Sequence, residues 1–197
     1  LTVVGPELPL TLGLVDELAK RHLLAFGPNK LAAELEGSKV FSKAFMRKYE
    51  IPTPEAEVCT TRAEAEKAVK SLGLPCVFKA DGLAAGKGVV VTDDREEALE
   101  HARACLAKPD GAVVVEEFLA GPEVSLFCLC DGTTVVALSP AQDFKRVGDG
   151  DAGPNTGGMG AYSPLGWAPD GLVDDVVRRV AQPVIDEMAR RGTPFVG

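Results

Sequence analysis

The sequence has fewer positive than negative charges, no long hydrophobic run and no CxxC pair of cysteines. Its formal net charge of −8 argues against nucleic acid or an anionic membrane surface as a partner, because either would require a basic field. No apolar run approaches the ~20 residues of a membrane-spanning helix, and no signal peptide is recognisable. We therefore expect a cytoplasmic protein with no membrane and no nucleic acid partner.

The cysteines and histidines also show no sequence pattern of a metal, redox or nucleophilic site. The five cysteines are an odd number without any CxxC pair, so we expect buried reduced thiols, with a metal or redox role as the alternative. The two histidines, His22 and His101, are expected on the surface. No Ser-His or Cys-His arrangement that would activate an enzyme nucleophile is visible.

The stretch from Cys76 to Val91 reads CVFKADGLAAGKGVVV, which predicts a strand, a glycine-rich loop and a second strand. Bare glycine backbone and the charges of Lys79 and Lys87 suit contacts to phosphate oxygens. The loop is not a P-loop, because three residues rather than four follow Gly82 before the Gly-Lys pair, and neither Ser nor Thr follows. A plain surface loop is the alternative interpretation.

The beginning of the chain has the pattern of an incomplete α/β unit. A strand, a helix and a strand are predicted between Thr2 and Phe26, too few elements to bury a sheet. The chain has no initiator methionine and opens within an apolar run, so we expect a fragment that lacks both ends.

Three helices have recognisable start signals. Ser38 is placed to cap a helix over 39–49, whose basic face is either a solvated surface or a binding surface. After a stiff Ile51–Pro54 linker, Thr61 with Glu64 and Asp94 with Glu97 form capping-box patterns for two more helices.

Strands and an irregular segment complete the pattern. Strands are predicted at 112–118, 123–130 and 134–138, the last two joined by an Asp131-Gly132 hairpin turn, which together with two helices indicates an antiparallel α+β module. Residues 148–160 are too rich in glycine for a predicted strand or helix. A helix from Asp170 should be kinked by Pro183.

Eight motifs make the chain resemble the ATP-grasp superfamily, and more narrowly its glycinamide ribonucleotide synthetase family. They are VVGPE from Val3, FGP from Phe26, LEGSKVFSKAFM from Leu35, IPTP from Ile51, KADGLAAGKGV from Lys79, EEFLAGPEVS from Glu116, SPAQDFKR from Ser139 and GPNTGGMGAYSP from Gly153. The last is the most specific, whereas the glycine-rich loop and EEFL would indicate only ATP-grasp. The implied fold class is α/β and α+β.

The resemblance implies four segments. They are 1–37, the end of an N-terminal α/β domain; 38–58, a helix and linker; 59–130, the ATP-grasp lid subdomain; and 131–197, the start of a second ATP-grasp subdomain with a substrate loop.

The resemblance also implies an ATP site. Lys43 and Lys79 would reach the phosphates beneath a lid loop, a strand after Val115 would read adenine through its backbone, and Glu123 would accept from the ribose hydroxyls. The implied nucleotide-binding residues are Lys43, Lys79, Asp81, Gly82, Gly86, Lys87, Gly88, Glu116, Glu117, Phe118, Leu119 and Glu123. Without the resemblance, Glu116 and Glu117 would be a solvated strand edge and Glu123 a turn residue.

The same resemblance implies a substrate site for glycine and 5-phosphoribosylamine. Its residues would be Asp143, Lys145, Arg146, Asn155, Thr156, Gly157, Gly158, Met159 and Gly160. Lys79, Lys145 and Arg146 would be catalytic, through positioning and charge neutralisation. The chain departs from the family at Phe144, where a histidine is usual, so any polar contact of that side chain is lost.

The implied reaction activates glycine with ATP as glycyl phosphate, which the amine then attacks to give glycinamide ribonucleotide, ADP and phosphate. We assign no metal ligand, because the magnesium-binding residues are expected outside this chain, and we expect the fragment alone to be inactive and monomeric. The alternatives are another ATP-grasp ligase or carboxylase, which would not share GPNTGGMGAYSP, and a non-catalytic nucleotide-binding module.

Overall fold

The structure is a computed structural model that describes residues 1–83, 88–109, 111–150 and 152–197. Its contacts divide the chain into two compact units. We call residues 38–47 and 53–121 the sheet unit, and residues 1–37, 48–52 and 122–197 the hairpin unit. These units follow from spatial contacts, whereas the four segments divided at residues 37, 58 and 130 follow from family motifs. The four-segment division therefore stays a prediction.

The sheet unit is built on four antiparallel strands in the order β3–β6–β4–β5. The strands are β3 (Ala56–Cys59), β4 (Cys76–Ala80), β5 (Val89–Thr92) and β6 (Val113–Glu117). Helices α4 (Lys39–Lys48), α5 (Arg62–Leu72) and α6 (Arg95–Leu106) begin in this unit. The predicted antiparallel sheet with two helices is confirmed for the strands up to Glu117. The strands predicted at 123–130 and 134–138 do not join it, and pair instead with each other, at 128–130 and 135–137, in a separate two-stranded sheet.

The core of this unit lies between one face of the sheet and two helices. Alternate residues of a strand share a face, so Cys76, Phe78 and Ala80 all point to the same side. They are buried in one cluster with Val113 and Val115 of β6 and with the small apolar faces of α5 and α6. Burial of this apolar surface is the main force that holds the sheet to its helices.

Local signals fixed the helix starts, with one correction. The Thr61 side chain accepts from the Glu64 backbone, and Glu64 returns the bond, so the capping box is confirmed. Asp94 caps α6 as predicted, but the Glu97 carboxylate instead accepts from the Thr92 hydroxyl. The second capping box was therefore wrong, because Thr92 offers a competing donor.

The hairpin unit begins with two short parallel strands. These are β1 (Thr2–Val3) and β2 (Ala25–Phe26), accompanied by α1 (Glu7–Thr11), α2 (Leu14–Lys20) and α3 (Glu34–Gly37). The predicted strand, helix and strand are confirmed.

Three antiparallel strand pairs follow. They are β7 (Cys128–Cys130) with β8 (Val135–Ala137), β9 (Gln142–Asp143) with β12 (Ala161–Tyr162), and β10 (Arg146–Gly148) with β11 (Ala152–Asn155). The hairpin at Asp131 is confirmed, and its carboxylate accepts from the backbone N–H groups of Thr133 at 2.9 Å and Thr134 at 2.7 Å.

The expectation of an irregular segment at 148–160 was wrong for Gly148 and for residues 152–155, which lie in strands, whereas residues 156–160 form neither strand nor helix. β10 and β11 pair across it, because backbone hydrogen bonds need no side chain and glycine can turn the chain where other residues would be strained. Gly150 and Gly153 adopt φ of +70° and +85° there.

The last helix is interrupted before its proline, as predicted. Helix α7 (Leu172–Val176) leads into a π-helical turn (Val177–Ala181) and then α8 (Gln182–Arg190), which has Pro183 near its start. Proline has no N–H for the usual i−4 bond, so the widened turn absorbs the mismatch. Within the described residues, every helix is too short or too polar to cross a bilayer.

The structure confirms the prediction for the cysteines and corrects the one for His101. Four cysteines are buried and Cys128 is half-buried, as expected for structural thiols, and burial raises the pKa of Cys59 to about 11. His101 is half-buried rather than on the surface, with its ring edge-on to Phe78 and its Nε2 3.6 Å from the Cys105 sulfur.

Truncating Phe78 should destabilise the sheet unit strongly. Phe78 is fully buried, and Phe→Ala changes in cores cost about 3–5 kcal/mol through lost transfer energy and a cavity. We expect Phe78→Ala to lower the unfolding free energy by that amount in urea denaturation. The matched variant Phe127→Ala removes an exposed ring and should stay within about 0.5 kcal/mol of the parent; equal effects would contradict this core assignment.

Candidate functional site

A buried carboxylate joins two lysines on the sheet face opposite α5 and α6. Glu116 accepts from the Lys43 ammonium at 3.2 Å and from the Lys79 ammonium at 2.8 Å. Lys79 and Glu116 point away from the helices because they alternate with Phe78 and Val115. We call Lys43, Lys79 and Glu116 the lysine cluster.

Burial makes this cluster electrostatically strong. The Glu116 side chain is 3% exposed and that of Lys43 12%, while Lys79 is 32% exposed. Burial lowers the pKa of Lys43, and the Glu116 charge opposes that shift. Two cations around one anion leave a net positive charge in a poorly screened place, which attracts an additional anion such as a phosphate group.

Lys43 is held from several directions. Its ammonium donates to the Thr53 hydroxyl at 2.6 Å and to the Pro54 carbonyl at 3.1 Å. Both acceptors belong to the IPTP segment, which was predicted to be a linker and a family motif but was given no contact with Lys43. Proline fixes the backbone of this segment, and that rigidity gives the lysine a fixed acceptor.

The start of the glycine-rich loop is attached to α4. Asp81 accepts from Ser38 and Val40, and the Gly82 carbonyl accepts from the Lys39 ammonium at 2.7 Å. On the return side, the Gly88 carbonyl accepts from the Ala80 backbone. The predicted phosphate contacts Gly86 and Lys87 lie outside the described residues.

The strand predicted to read adenine ends at Glu117. The Glu117 carboxylate accepts from the Glu55 backbone N–H at 2.8 Å, and its own N–H donates to the Glu55 carbonyl at 3.0 Å. Phe118 and Leu119 follow the strand and are exposed. Glu123 is exposed in the hairpin unit, where its negative charge contributes to raising the pKa of Lys145.

Predicted substrate residues meet in the hairpin unit. Lys145 forms an ion pair with Asp143 Oδ2, and this hydrogen bond is the main cause of its raised pKa. The other Asp143 oxygen is buried without a hydrogen-bond partner among the described residues. Arg146 Nη1 donates to the Gly153 carbonyl at 3.4 Å. An unpaired acceptor in an Asp143–Lys145 ion pair suits a small polar molecule that bears both amine and acidic groups.

The glycine-rich segment packs back on this group. The Thr156 hydroxyl donates to the Lys145 carbonyl at 2.9 Å and accepts from Gly158 N at 3.0 Å. A side chain at Gly158 would bring a Cβ within 3.3 Å of Asp143 Oδ1. Gly157 and Gly160 are exposed, as is Met159. Asn155 lies in β11 opposite Arg146, and its side chain lies outside what the structure describes.

Phe144 belongs to an aromatic group that sequence reasoning missed. Its ring stacks on Tyr162 with centroids 5.9 Å apart and an angle of 21° between planes. The Tyr162 hydroxyl donates to Gln142 and accepts from the Trp167 indole, each at 2.7 Å. Phe144 and Tyr162 come together because β9 pairs with β12. The glycine-rich segment between these strands gave no sequence signal of that pairing.

Sequence profiles decide the family. The profile described as phosphoribosylglycinamide synthetase, N domain, matches residues 1–36, and that described as its ATP-grasp (A) domain matches residues 37–197. The chain belongs to the phosphoribosylglycinamide synthetase family. The predicted ATP-grasp fold class is confirmed with it.

Individual relatives agree with this family. A phosphoribosylamine–glycine ligase of Streptomyces coelicolor is 59% identical over 197 residues, covering 100% of this chain and 46% of the relative. The crystal structure of a phosphoribosylamine–glycine ligase from Thermotoga maritima has a TM-score of 0.80 at 40% identity, over 88% of this chain and 45% of that one. The chain spans about half the length of the curated relatives it matches.

A more distant structure shows the shared fold. N5-carboxyaminoimidazole synthase from Aspergillus clavatus, in complex with ADP and an aminoimidazole ribonucleotide, has a TM-score of 0.69 at 19% identity, over 99% of this chain and 46% of that one. At this identity the likeness concerns the fold alone.

Removing the buried charge of Glu116 should destabilise the protein. Glu116→Gln leaves Lys43 buried without a full counter-charge, and breaking a buried ion pair costs about 3 kcal/mol or more. We expect this loss in urea denaturation, and partial recovery in the double variant with Lys43→Met, which also removes the unpaired cation.

The exposed carboxylate Glu57 provides the control for this experiment. Glu57→Gln makes the same chemical change on the adjacent surface strand β3 and should cost less than about 0.5 kcal/mol. A Glu116→Gln protein as stable as Glu57→Gln would show that the cluster is solvated rather than buried.

Proposed function

We propose that this chain is part of an ATP-dependent ligase that joins glycine to 5-phosphoribosylamine, giving glycinamide ribonucleotide, ADP and phosphate in purine biosynthesis. The observation that carries the proposal is the 59% identity to a phosphoribosylamine–glycine ligase along all 197 residues. Because the chain spans half of such relatives, the activity belongs to the whole protein that contains it.

The nucleotide half of the proposal rests on the sheet unit. The lysine cluster supplies net positive charge beside the start of the glycine-rich loop, where ATP phosphates would bind. Phe118 and Leu119 follow a strand whose backbone we assign to the adenine edge. From the family resemblance alone, Glu123 of the hairpin unit is assigned to the ribose hydroxyls. Lys79 is the more exposed of the two lysines of the cluster, so we assign it to the transferring phosphoryl group.

The substrate half of the proposal rests on the hairpin unit. Asp143 offers an unpaired oxygen that suits the ammonium group of glycine. Lys145 and Arg146 are assigned to the substrate phosphate or carboxylate, because both carry charge that remains near the surface. Asn155, Thr156 and the following glycines are assigned to the same small substrates, since bare backbone permits close approach.

The proposed chemistry needs no nucleophile from the protein. A glycine carboxylate oxygen bonds to the γ-phosphorus of ATP, and the bridging bond to ADP breaks. The amine of 5-phosphoribosylamine then attacks the carbonyl carbon of glycyl phosphate, forming the C–N bond and releasing phosphate. The protein contributes positioning, neutralisation of developing charge and exclusion of water from the acyl phosphate.

Magnesium is the expected companion of ATP, and we propose that its ligands lie outside this chain. Among residues 1–83, 88–109, 111–150 and 152–197, no three His, Cys, Asp or Glu side chains group as a metal site. The remaining proposals are that the whole protein is a cytoplasmic monomer whose partners are small molecules.

Substrate-dependent ADP release by the whole protein tests the function. We expect turnover that requires both glycine and 5-phosphoribosylamine, and a fall in kcat/KM of roughly 100-fold in Lys79→Ala, as for the loss of one charge-stabilising donor. Lys70→Ala removes an exposed lysine of α5 in the same unit and should stay within about 2-fold.

The alternatives give different results in the same assay. ADP release with bicarbonate in place of glycine would favour an ATP-grasp carboxylase. Calorimetric binding of an ATP analogue, weakened by Lys79→Ala but without turnover on any of these substrates, would favour a nucleotide-binding module.

Replacing Phe144 should show whether the planar ring or a polar atom matters there. Phe144→His keeps a ring that can stack on Tyr162, so we expect activity within about 3-fold of the parent. Phe144→Ala removes an aromatic pair worth ~0.5–1.5 kcal/mol, which corresponds to a roughly 2- to 13-fold higher KM for 5-phosphoribosylamine. A large gain of activity in Phe144→His would instead indicate a missing polar contact.

A further inference from the structure

We propose that Asp81 is a positioning residue that ties the glycine-rich loop to helix α4, rather than a ligand of the nucleotide. The contacts of Asp81 carry this inference, and its consequence for ATP binding rests on the function proposed above. It revises the direct nucleotide contact that the family resemblance implied for this carboxylate.

Asp81 satisfies backbone donors that helix α4 cannot satisfy itself. The first N–H groups of a helix have no partner within it. Ser38 takes one of them, accepting from Phe41 N at 3.1 Å, and Asp81 Oδ1 takes another, accepting from Val40 N at 3.1 Å. The Ser38 hydroxyl also donates to the Asp81 carboxylate, at 3.2 Å to Oδ1 and 3.3 Å to Oδ2.

The charge of Asp81 suits this place better than a phosphate site. A carboxylate at a helix N-terminus is stabilised by the helix dipole. A carboxylate next to a triphosphate is repelled unless a cation lies between them. Oδ1, moreover, already accepts from both the Val40 backbone and the Ser38 hydroxyl.

A second contact ties the beginning of the loop to α4, through Gly82, the residue after Asp81. The Lys39 ammonium donates to the Gly82 carbonyl at 2.7 Å. From the other side, Asp81 N donates to the Ala112 carbonyl at 3.1 Å, just before β6. The beginning of the loop is therefore fixed both to the helix that carries Lys43 and to the strand that carries Glu116.

This geometry links the loop to the lysine cluster. Lys43 lies one helical turn after Lys39, so a frayed first turn of α4 would loosen both the loop and the Lys43 ammonium. Preorganised groups bind a ligand more tightly, because less order must be created on binding. We therefore expect Asp81 to affect ATP affinity without touching ATP.

The test compares Asp81→Ala with Asp81→Asn in the whole protein. Asparagine caps helices about as well as aspartate but lacks the charge. We expect Asp81→Ala to raise the Kd for a nonhydrolysable ATP analogue about 10-fold and Asp81→Asn to stay within about 3-fold, with the KM for glycine unchanged in both. Equal weakening by both variants would overturn the proposal, because it would indicate that the charge itself contacts the nucleotide or its metal.

Hydrogen exchange supplies a readout that does not depend on the reaction. Without nucleotide, a peptide covering Val40 should exchange at least about 5-fold faster in Asp81→Ala and near the parental rate in Asp81→Asn. Unchanged exchange in Asp81→Ala would overturn the anchoring role. Absence of ligase turnover in the parent protein would overturn the proposed function and leave this result standing.

Two further variants separate positioning from general loss of stability. Thr61→Ala removes a cap from α5 in the same unit, so it should lower the melting temperature and leave the Kd for the ATP analogue unchanged. If it weakens binding as much as Asp81→Ala, the proposal fails. Should Asp81→Ala not fold, Lys39→Met tests the second tie, with a roughly 3-fold higher Kd expected and no change contradicting the link.

Discussion

The burial of the Glu116 carboxylate is the constraint on which the arrangement of the sheet unit depends. A carboxylate that is 3% exposed is tolerable only with cationic partners in good geometry, and here two lysines from different elements provide them. Lys79 comes from the neighbouring strand and Lys43 from α4. The Lys43–Glu116 ion pair thus ties α4 to the sheet.

Contacts connect the Glu116 carboxylate, through helix α4, to the glycine-rich loop. Lys43 reaches Glu116 from α4, whose first turn is capped by Ser38 and Asp81, and Asp81 begins the glycine-rich loop. A short chain of contacts therefore joins a buried charge to a surface loop. The hairpin unit has its own polar group around Asp143, which is organised by strand pairing and by the return of Thr156 to Lys145.

Sequence reasoning succeeded where the determining interaction was local. The capping box at Thr61, the turn at Asp131 and the helix interruption before Pro183 each involve residues within a few positions of one another. It failed where a second nearby donor competed, because the Glu97 carboxylate accepts from the Thr92 hydroxyl instead of completing the capping box, and where backbone pairing overrode glycine content in β10 and β11. All three residues of the lysine cluster were predicted to bind nucleotide, but their ion pairs were not, because partners that are 37 residues apart, such as Lys79 and Glu116, leave no periodic signal.

The alternation of residues along β6 constrains the length of this strand during evolution. Val113 and Val115 face the helices, while Glu116 faces the lysines. Point substitutions can vary each side chain separately, but an inserted or deleted residue would exchange the two faces, placing the carboxylate among alanines and a valine among ammonium groups. Length variation in this family should therefore accumulate in the connections on either side of β6, while the spacing within the strand is inherited unchanged.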